Sequence, residues 1–333
     1  MTSILRGPDN PEVQPEMTRG IEEGNPQLST VHSERSRLLG VAYRLLGSAS
    51  EAEDVTQETY LRWYRLTPAE RDAVKVPAAW RTRVLTRICI DHLRSARARR
   101  EVYVGEWLPE PLPDADLARS TTLPRESAAH RDPVERVTLD ESVSMALLVV
   151  LEKMTPAERV SFVLHDVFQY SFNEIAEMVG RTPQACRQLA SSARKRVQDA
   201  RSVTTSPGEH RRVNDAFKDA WVSGNIRGLM ALLNPDVTAV TDGGGVVSAA
   251  VEPLTGHEQV ARFFVDVMTR QPDLRVRAVT VNSEPGLVGI VGDKVLSVVS
   301  TVVRDGRIAS IWAVRNPEKL SLWETAIAKE TSL

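Results

Sequence analysis

The stretch Phe172–Leu189 (FNEIAEMVGRTPQACRQL) leaves the backbone of this 333-residue chain less choice than any other segment. Ile175 and Ala176 form an apolar step, Val179 precedes Gly180, and Cys186 and Leu189 follow at helical spacing. Ala176 is small where two helices must approach closely, and Gly180 can take the positive φ of a tight turn. Thr182 is a good N-cap and Pro183 suits a first helical position, so a second helix starts there. The pattern predicts a helix-turn-helix, whose second helix lies in a major groove with its first turns on base edges. The alternative is an αα-hairpin packed inside a larger domain. Arg194, Lys195 and Arg196, immediately downstream, favour the DNA-facing reading.

A chain of this length is expected to fold as two or three domains. The formal net charge is only −2, so any affinity for nucleic acid must come from local patches. Cys89 and Cys186 fall in predicted helices of different domains, which argues against a disulfide framework or a zinc site and fits a cytoplasmic location. The six histidines are scattered without ligand spacing, so neither metal nor cofactor is expected. No apolar run is long enough for a bilayer, and the N-terminus lacks an apolar secretion signal, so no membrane partner is expected. Residues 1–30 read as a disordered extension.

From Ser33 to Arg100 the pattern is helical. Leu38, Leu39, Ala42, Leu45 and Leu46 share one face until Gly47, and Ser50 before Glu51-Ala52-Glu53-Asp54 marks a helix start. A third helix carries Trp80, Val84, Ile88 and Leu93 on one face, with Arg81, Arg83, Arg87, Arg94, Arg97, Arg99 and Arg100 on the other. Residues 101–133 collapse into Pro, Asp, Ser and Thr around WLPEPLPD, a linker composition. A second helical domain is expected over 134–201 and a second linker over 202–209.

Beyond residue 210 the character changes. Val213, Phe217, Ala220 and Trp221 make an amphipathic helix, and a short helix follows Gly224. A strand over Val237–Thr241, a Gly-rich turn and a helix carrying Val260, Phe264, Val267 and Met268 come next. Four β-branched runs then follow, from Leu274 to Arg315. The expected fold class is multidomain: two all-α domains, then an α+β domain with a mostly antiparallel sheet.

The two arginine-rich helical ends suit phosphate, and Trp63, Tyr64 and Trp80 beside the first of them could support unstacked bases. A solvated charged face is the plainer reading of either one alone. The acidic turn Glu51–Glu58 cannot face DNA. It either complements its helix dipole or docks a basic protein partner.

The series SEAEDVTQETYLRWYR, VPAAWRTRVLTRICIDHLRSARARR and MTPAERVSFVLHDVFQYSFNEIAEMVGRTPQACRQLASSARKRV resembles the bacterial extracytoplasmic-function sigma factors across both helical domains. The C-terminal part resembles a SnoaL-like, NTF2-type cone-shaped domain. WLPEP in the linker, DGGG at Asp242–Gly245 and NPEKL at Asn316–Leu320 are similar to the members that carry such an extension.

The resemblance implies roles. The first domain would be σ2, with Asp54, Gln57 and Glu58 docking the β′ coiled coil of core RNA polymerase. Trp80, Arg83, Arg87, Asp91 and Arg94 would lie against the −10 promoter element. The second domain would be σ4, touching the β flap and reading the −35 element through Gln184, Arg187, Gln188 and Ser191, with Arg194 and Lys195 on backbone. Trp107, Leu108, Pro109, Glu110 and Pro111 in the linker, with Asp242, Gly243, Gly244 and Gly245 and with Asn316, Pro317, Glu318, Lys319 and Leu320, are read as interdomain regulatory residues, Trp107 being a rigid aromatic anchor suited to docking the linker on the C-terminal domain. The fused domain would hold a compact state in place of a separate anti-sigma protein. Two positions depart from the family pattern: Val246 stands where Lys usually follows the glycines, and Glu318 replaces an Asp.

An enzyme would need an acid or base in the C-terminal pocket, and Asp242, His257, Asp266 and Asp293 are the candidates; no catalytic residue is expected. The competing functions are a DNA-binding module fused to a ligand-sensing or isomerase- or cyclase-like domain that takes a small ligand, and a repressor that binds duplex DNA without polymerase.

Overall fold

The structure is a computed structural model that describes residues 26–100, 103–114, 143–200, 205–247, 249–250 and 252–331. Side chains at 26–32, 96–100, 199–200 and 330–331 are outside that description. The expected disorder of 1–30 falls on residues outside it up to 25, and α1 (Pro26–Leu46) begins inside the predicted extension. Residues 115–133 of the predicted first linker also lie outside.

The first helical unit adds α2 (Ala49–Arg65), α3 (Pro68–Ala73) and α4 (Pro77–Arg100). The cap of α2 is Ser48, not Ser50: Gly47 takes φ 70° to end α1, and Ser48 Oγ accepts from Glu51 N at 3.3 Å. The second unit comprises α5 (Met145–Glu152), α6 (Pro156–Phe162), a π-turn (Val163–Val167), α7 (Phe172–Val179) and α8 (Pro183–Ala200). Capping boxes at Thr155/Glu158 and Ser171/Glu174 start α6 and α7. Gly180 turns at φ 71°, and Ala185 N donates to Thr182 Oγ1 at 3.2 Å to start α8. Cys186, Ala190, Ala193 and Val197 bury the inner stripe of α8, whereas Leu189 is only half-buried.

The two helical units do not keep separate cores. Leu38, Leu45, Leu85 and Leu93 of the first belong to one apolar cluster with Leu148, Val160, Ile175 and Cys186 of the second. The buried Arg159 of α6 ties them further, donating to Leu45 O and Glu152 Oε1, both at 2.7 Å. Burial lowers its guanidinium pKa to about 9.

The C-terminal unit opens with α9 (Pro207–Val222), capped by Ser206 within the predicted second linker. After α10 (Ile226–Leu232) come β1 (Leu233–Asp242), β2 (Leu254–Thr255), α11 (His257–Arg270), β3 (Arg275–Val281), β4 (Glu284–Val291), β5 (Lys294–Arg304) and β6 (Arg307–Val314). A 3-10 turn (Pro317–Lys319) and α12 (Ser321–Thr331) end it. The six strands run in the order β2-β1-β6-β5-β4-β3, antiparallel except for β1 beside β6. β1 is four residues longer at its start than the sequence suggests, because Leu233 already pairs with Ile308.

Alternation along the strands sends Leu287 and Val299 to one face, and Val288 and Val298 to the other. The first face packs on α9, α10 and α11, where Phe217, Trp221 and Phe264 fill the interior in edge-on contacts of 4.8–5.1 Å and a tilted one of 6.3 Å. The second face is covered by Trp323 and Ile327 of α12, Leu108 of the linker and Val149 of α5. The linker is therefore part of the C-terminal core.

Candidate nucleic-acid interface and linker site

Trp80 sits edge-on to Trp63 with ring centroids 5.2 Å apart. Arg81, expected on the outward basic face, instead lies over Trp63 at 4.9 Å and donates to both carboxylate oxygens of Glu34 at 2.5–2.6 Å. An acidic side chain from a neighbouring helix is invisible to the periodicity of α4, which is why the expectation failed. Asp91 and Arg94 are exposed and 3.5 Å apart.

Arg83 and Arg87 point at the second unit. Arg83 pairs with the Glu177 carboxylate on α7, and Arg87 Nη2 approaches the Glu177 carbonyl at 3.4 Å. The pair is partly exposed and contributes little by itself, about 0–1 kcal/mol. Its meaning is positional: the middle of the arginine face is turned onto the helix-turn-helix.

On α8, Gln184, Arg187, Gln188, Ser191 and Lys195 are exposed. Arg187 rests over the Phe172 ring at 5.3 Å, and Arg194 donates to Asp166 Oδ1 at 2.6 Å. On α2, Asp54 and Gln57 are exposed and Glu58 pairs with Arg62 at 2.8 Å.

The linker site brings its three sequence motifs together around Asp242, which is fully buried. Its Oδ1 accepts from Tyr103 OH at 2.6 Å and Gly244 N at 3.0 Å, and its Oδ2 from Leu108 N at 2.9 Å and Lys319 Nζ at 2.7 Å. Lys319 also donates to Leu108 O at 2.5 Å and lies over the Trp107 ring at 3.9 Å. Gly244, at φ 66°, has no room for a side chain: a Cβ there would fall 2.5 Å from Asn316 Cγ. Asn316 in turn donates to Tyr103 OH at 3.1 Å. Gly243 is buried, Gly245 and Val246 are exposed, and Pro317 and Glu318 are exposed beside the buried Leu320. The Asp242 bonds run through Lys319, the Tyr103 hydroxyl and main chain, so the absence of a lysine at 246 leaves them intact.

The same linker grips the first unit. Glu110 N donates to Gly47 O at 2.7 Å, and its Oε2 accepts from Ala49 N at 2.8 Å and Ser48 Oγ at 3.2 Å. Glu110 thus adds an acceptor at the start of α2, the helix that carries Asp54, Gln57 and Glu58. Burial raises its pKa, and those bonds pull against the shift. Pro109 and Pro111 are buried, and Pro111 O accepts from Trp323 Nε1 at 2.8 Å. Sequence reasoning missed Tyr103, Ser48, Glu177 and Trp323. Only Tyr103, an aromatic four residues before Trp107, carried a readable signal.

The four acid and base candidates do not form a catalytic group. Asp242 is committed to the linker, Asp266 pairs with Arg270 on the outside of α11, Asp293 is exposed in the β4–β5 turn, and His257 begins α11. Among the described residues no cluster of metal-ligating side chains occurs, and no helix is long and apolar enough to cross a membrane.

Residues 30–99 match the family Sigma-70 region 2, and residues 144–197 match Sigma-70, region 4. The chain is 35% identical over 307 residues to the ECF RNA polymerase sigma factor SigJ of Mycobacterium tuberculosis, covering 89% of this chain and 93% of that one. The probable ECF RNA polymerase sigma factor SigI of the same organism is 30% identical over 304 residues, covering 90% and 97%. The crystal structure of M. tuberculosis SigJ superposes with a TM-score of 0.66 at 33% identity, over 88% of this chain and 98% of that one. With both regions in order and about nine-tenths of the length shared, the chain belongs to the extracytoplasmic-function RNA polymerase sigma factors, which direct promoter-specific transcription initiation.

Proposed function

We propose that this sigma factor rests in a closed form that core RNA polymerase must open. In this reading Asp54, Gln57 and Glu58 meet the β′ coiled coil, and Trp80, Arg83, Arg87 and Arg94 meet the −10 element. Gln184, Arg187, Gln188 and Ser191 read the −35 element, Arg194 and Lys195 hold its phosphates, and region 4 also touches the β flap. The C-terminal unit, which we read as SnoaL-like, acts by contact rather than by turnover and takes the place of a separate anti-sigma protein. Its site of action is the cytoplasm, where the polymerase is.

One observation carries the proposal. Arg83 and Arg87 are engaged by Glu177 of region 4 while Asp242 and Lys319 hold the linker between the two regions. In that arrangement α7 stands against the face that carries both arginines, and Arg83 is paired with a carboxylate rather than open to phosphate. Run-off transcription with reconstituted polymerase tests it, comparing the full chain with Trp107→Ala and with a chain ending before Ser206. Altered activity in either supports regulation by the linker contact; unchanged activity in both sinks it. An Arg187→Ala protein assayed on a −35 mutation series separates base reading from phosphate contact. A bidentate contact to guanine predicts a loss of about 1–3 kcal/mol confined to one base pair.

A further inference from the structure

The turn between β3 and β4 is a place where solvent is expected, yet Asn282 is fully buried. Asn282 and Ser283 have φ of 52° and 67° between the paired residues Val281 and Glu284, the two-residue turn of a tight hairpin. Asparagine tolerates that backbone, which accounts for the residue type but not for its burial.

The side chain explains the burial. Its Nδ2 donates to the Tyr43 hydroxyl at 2.7 Å and to the Val143 carbonyl at 2.8 Å, and its Oδ1 accepts from Leu112 N at 2.9 Å. The main-chain N–H donates to Leu112 O at 3.0 Å. Tyr43 belongs to region 2, Val143 leads into region 4, and Leu112 is in the linker. One amide therefore touches all three. Tyr43 passes its own proton on to Glu110 O at 2.7 Å, and burial raises its pKa, so it stays a neutral donor.

We propose that Asn282 is a positioning residue, the latch that fixes regions 2 and 4 in the resting arrangement. The bonds of Trp107, Asp242 and Lys319 join the linker to the C-terminal unit. Beside the Glu110 grip on Gly47, Ser48 and Ala49, Asn282 ties that joined pair to Tyr43 of region 2 and to Val143 before region 4, so its loss loosens the regions while the linker stays docked. The inference rests on the closed-form reading above.

Asn282→Gly is the informative change, because glycine keeps the left-handed turn and deletes only the amide. Tyr43→Phe removes one of the same bonds from the opposite side without touching the hairpin. Energy transfer between dyes on Glu70→Cys and Gln198→Cys reports the separation of regions 2 and 4 in the full chain without polymerase; both native cysteines are buried. Run-off transcription at limiting core polymerase is measured on the unlabelled variants.

Asn282→Gly is expected to shift the closed-to-open ratio by roughly tenfold and Tyr43→Phe, which also loses the bond to Glu110 O, by a few-fold, with the double variant falling short of the product of the two because the Asn282–Tyr43 bond is shared. Transcription should rise in the same order, and exchange protection at Leu108 should stay as in the parent. If Asn282→Gly unfolds the hairpin, Tyr43→Phe decides. Parent-like separation in these variants, with Trp107→Ala or the truncation changing it, overturns the latch and leaves the closed form standing. Parent-like separation in every variant overturns both.

Discussion

Replacing Lys319 by methionine keeps an apolar side chain of similar length and removes the ammonium from Asp242 and from the face of Trp107. The carboxylate is fully buried, so it cannot recover a water shell while the linker stays docked. It keeps three neutral donors, from Tyr103, Leu108 and Gly244. Breaking a buried ion pair costs about 3–5 kcal/mol, and the surviving donors place Lys319→Met near the lower end, about 3 kcal/mol. Asp242→Ala leaves an ammonium whose side chain is only 10% exposed with the Leu108 carbonyl and the Trp107 ring but without its carboxylate, and belongs in the same range. Both energies act on docking of the linker rather than on the fold of the sheet. The Leu108 amide, which donates to Asp242, is thus the probe. Its hydrogen exchange should quicken by about two orders of magnitude in Lys319→Met, since each 1.4 kcal/mol is tenfold. The double variant should cost about 2 kcal/mol less than the sum of the singles. An acceleration below tenfold in Lys319→Met, or strict additivity, would refute the reasoning.

Gly244→Ala combines φ 66° with a Cβ 2.5 Å from Asn316 Cγ, and should weaken linker docking by about 1–3 kcal/mol, read as faster proteolysis at Glu106–Trp107. Glu177→Ala frees Arg83 and leaves Arg87 on the main-chain carbonyl, and binding of a forked −10 DNA should tighten at most about fivefold at low salt, the worth of an exposed pair. His210 is buried, and its Nε2–H serves Thr301 Oγ1 at 2.9 Å, because the Thr301 proton goes to Asn214 Oδ1 at 2.7 Å. Burial lowers its pKa, so the folded protein prefers the neutral ring. That stability is complete above the unfolded value of about 6.5 and is lost as pH falls through the lower folded value; calorimetry should show it, and Thr301→Val, which removes the contact that pulls the pKa back up, should deepen the dependence.

The helix-turn-helix was legible because each of its devices is local: a small residue, a glycine turn, a threonine cap. The α+β character was legible from strand alternation for the same reason. What failed was decided between segments. Ser48 rather than Ser50 starts α2 because Gly47 ends α1 one residue earlier and Glu110, far along the chain, supplies a second acceptor there. Arg81 turns inward because Glu34 faces it. Asn282-Ser283 between two β-branched runs did carry a hairpin signal, but only docking of the whole unit buries it. The residues of WLPEP were readable as an anchor. That they close a sheet face and cap the helix that carries Asp54, Gln57 and Glu58 was not, since neither surface exists until the other units fold.

The core shared by the two helical units also orders events in time. Pulling α4 away from α6 and α7 would wet apolar surface at about 25 cal/mol per Å². In the closed-form reading the free protein is therefore mostly closed, and polymerase mostly meets the closed molecule and separates its halves afterwards. The affinity measured for core polymerase is then a difference: the free energy of the new interface less that of uncovering the shared core. A variant that loosens the shared core would bind polymerase more tightly while folding less stably.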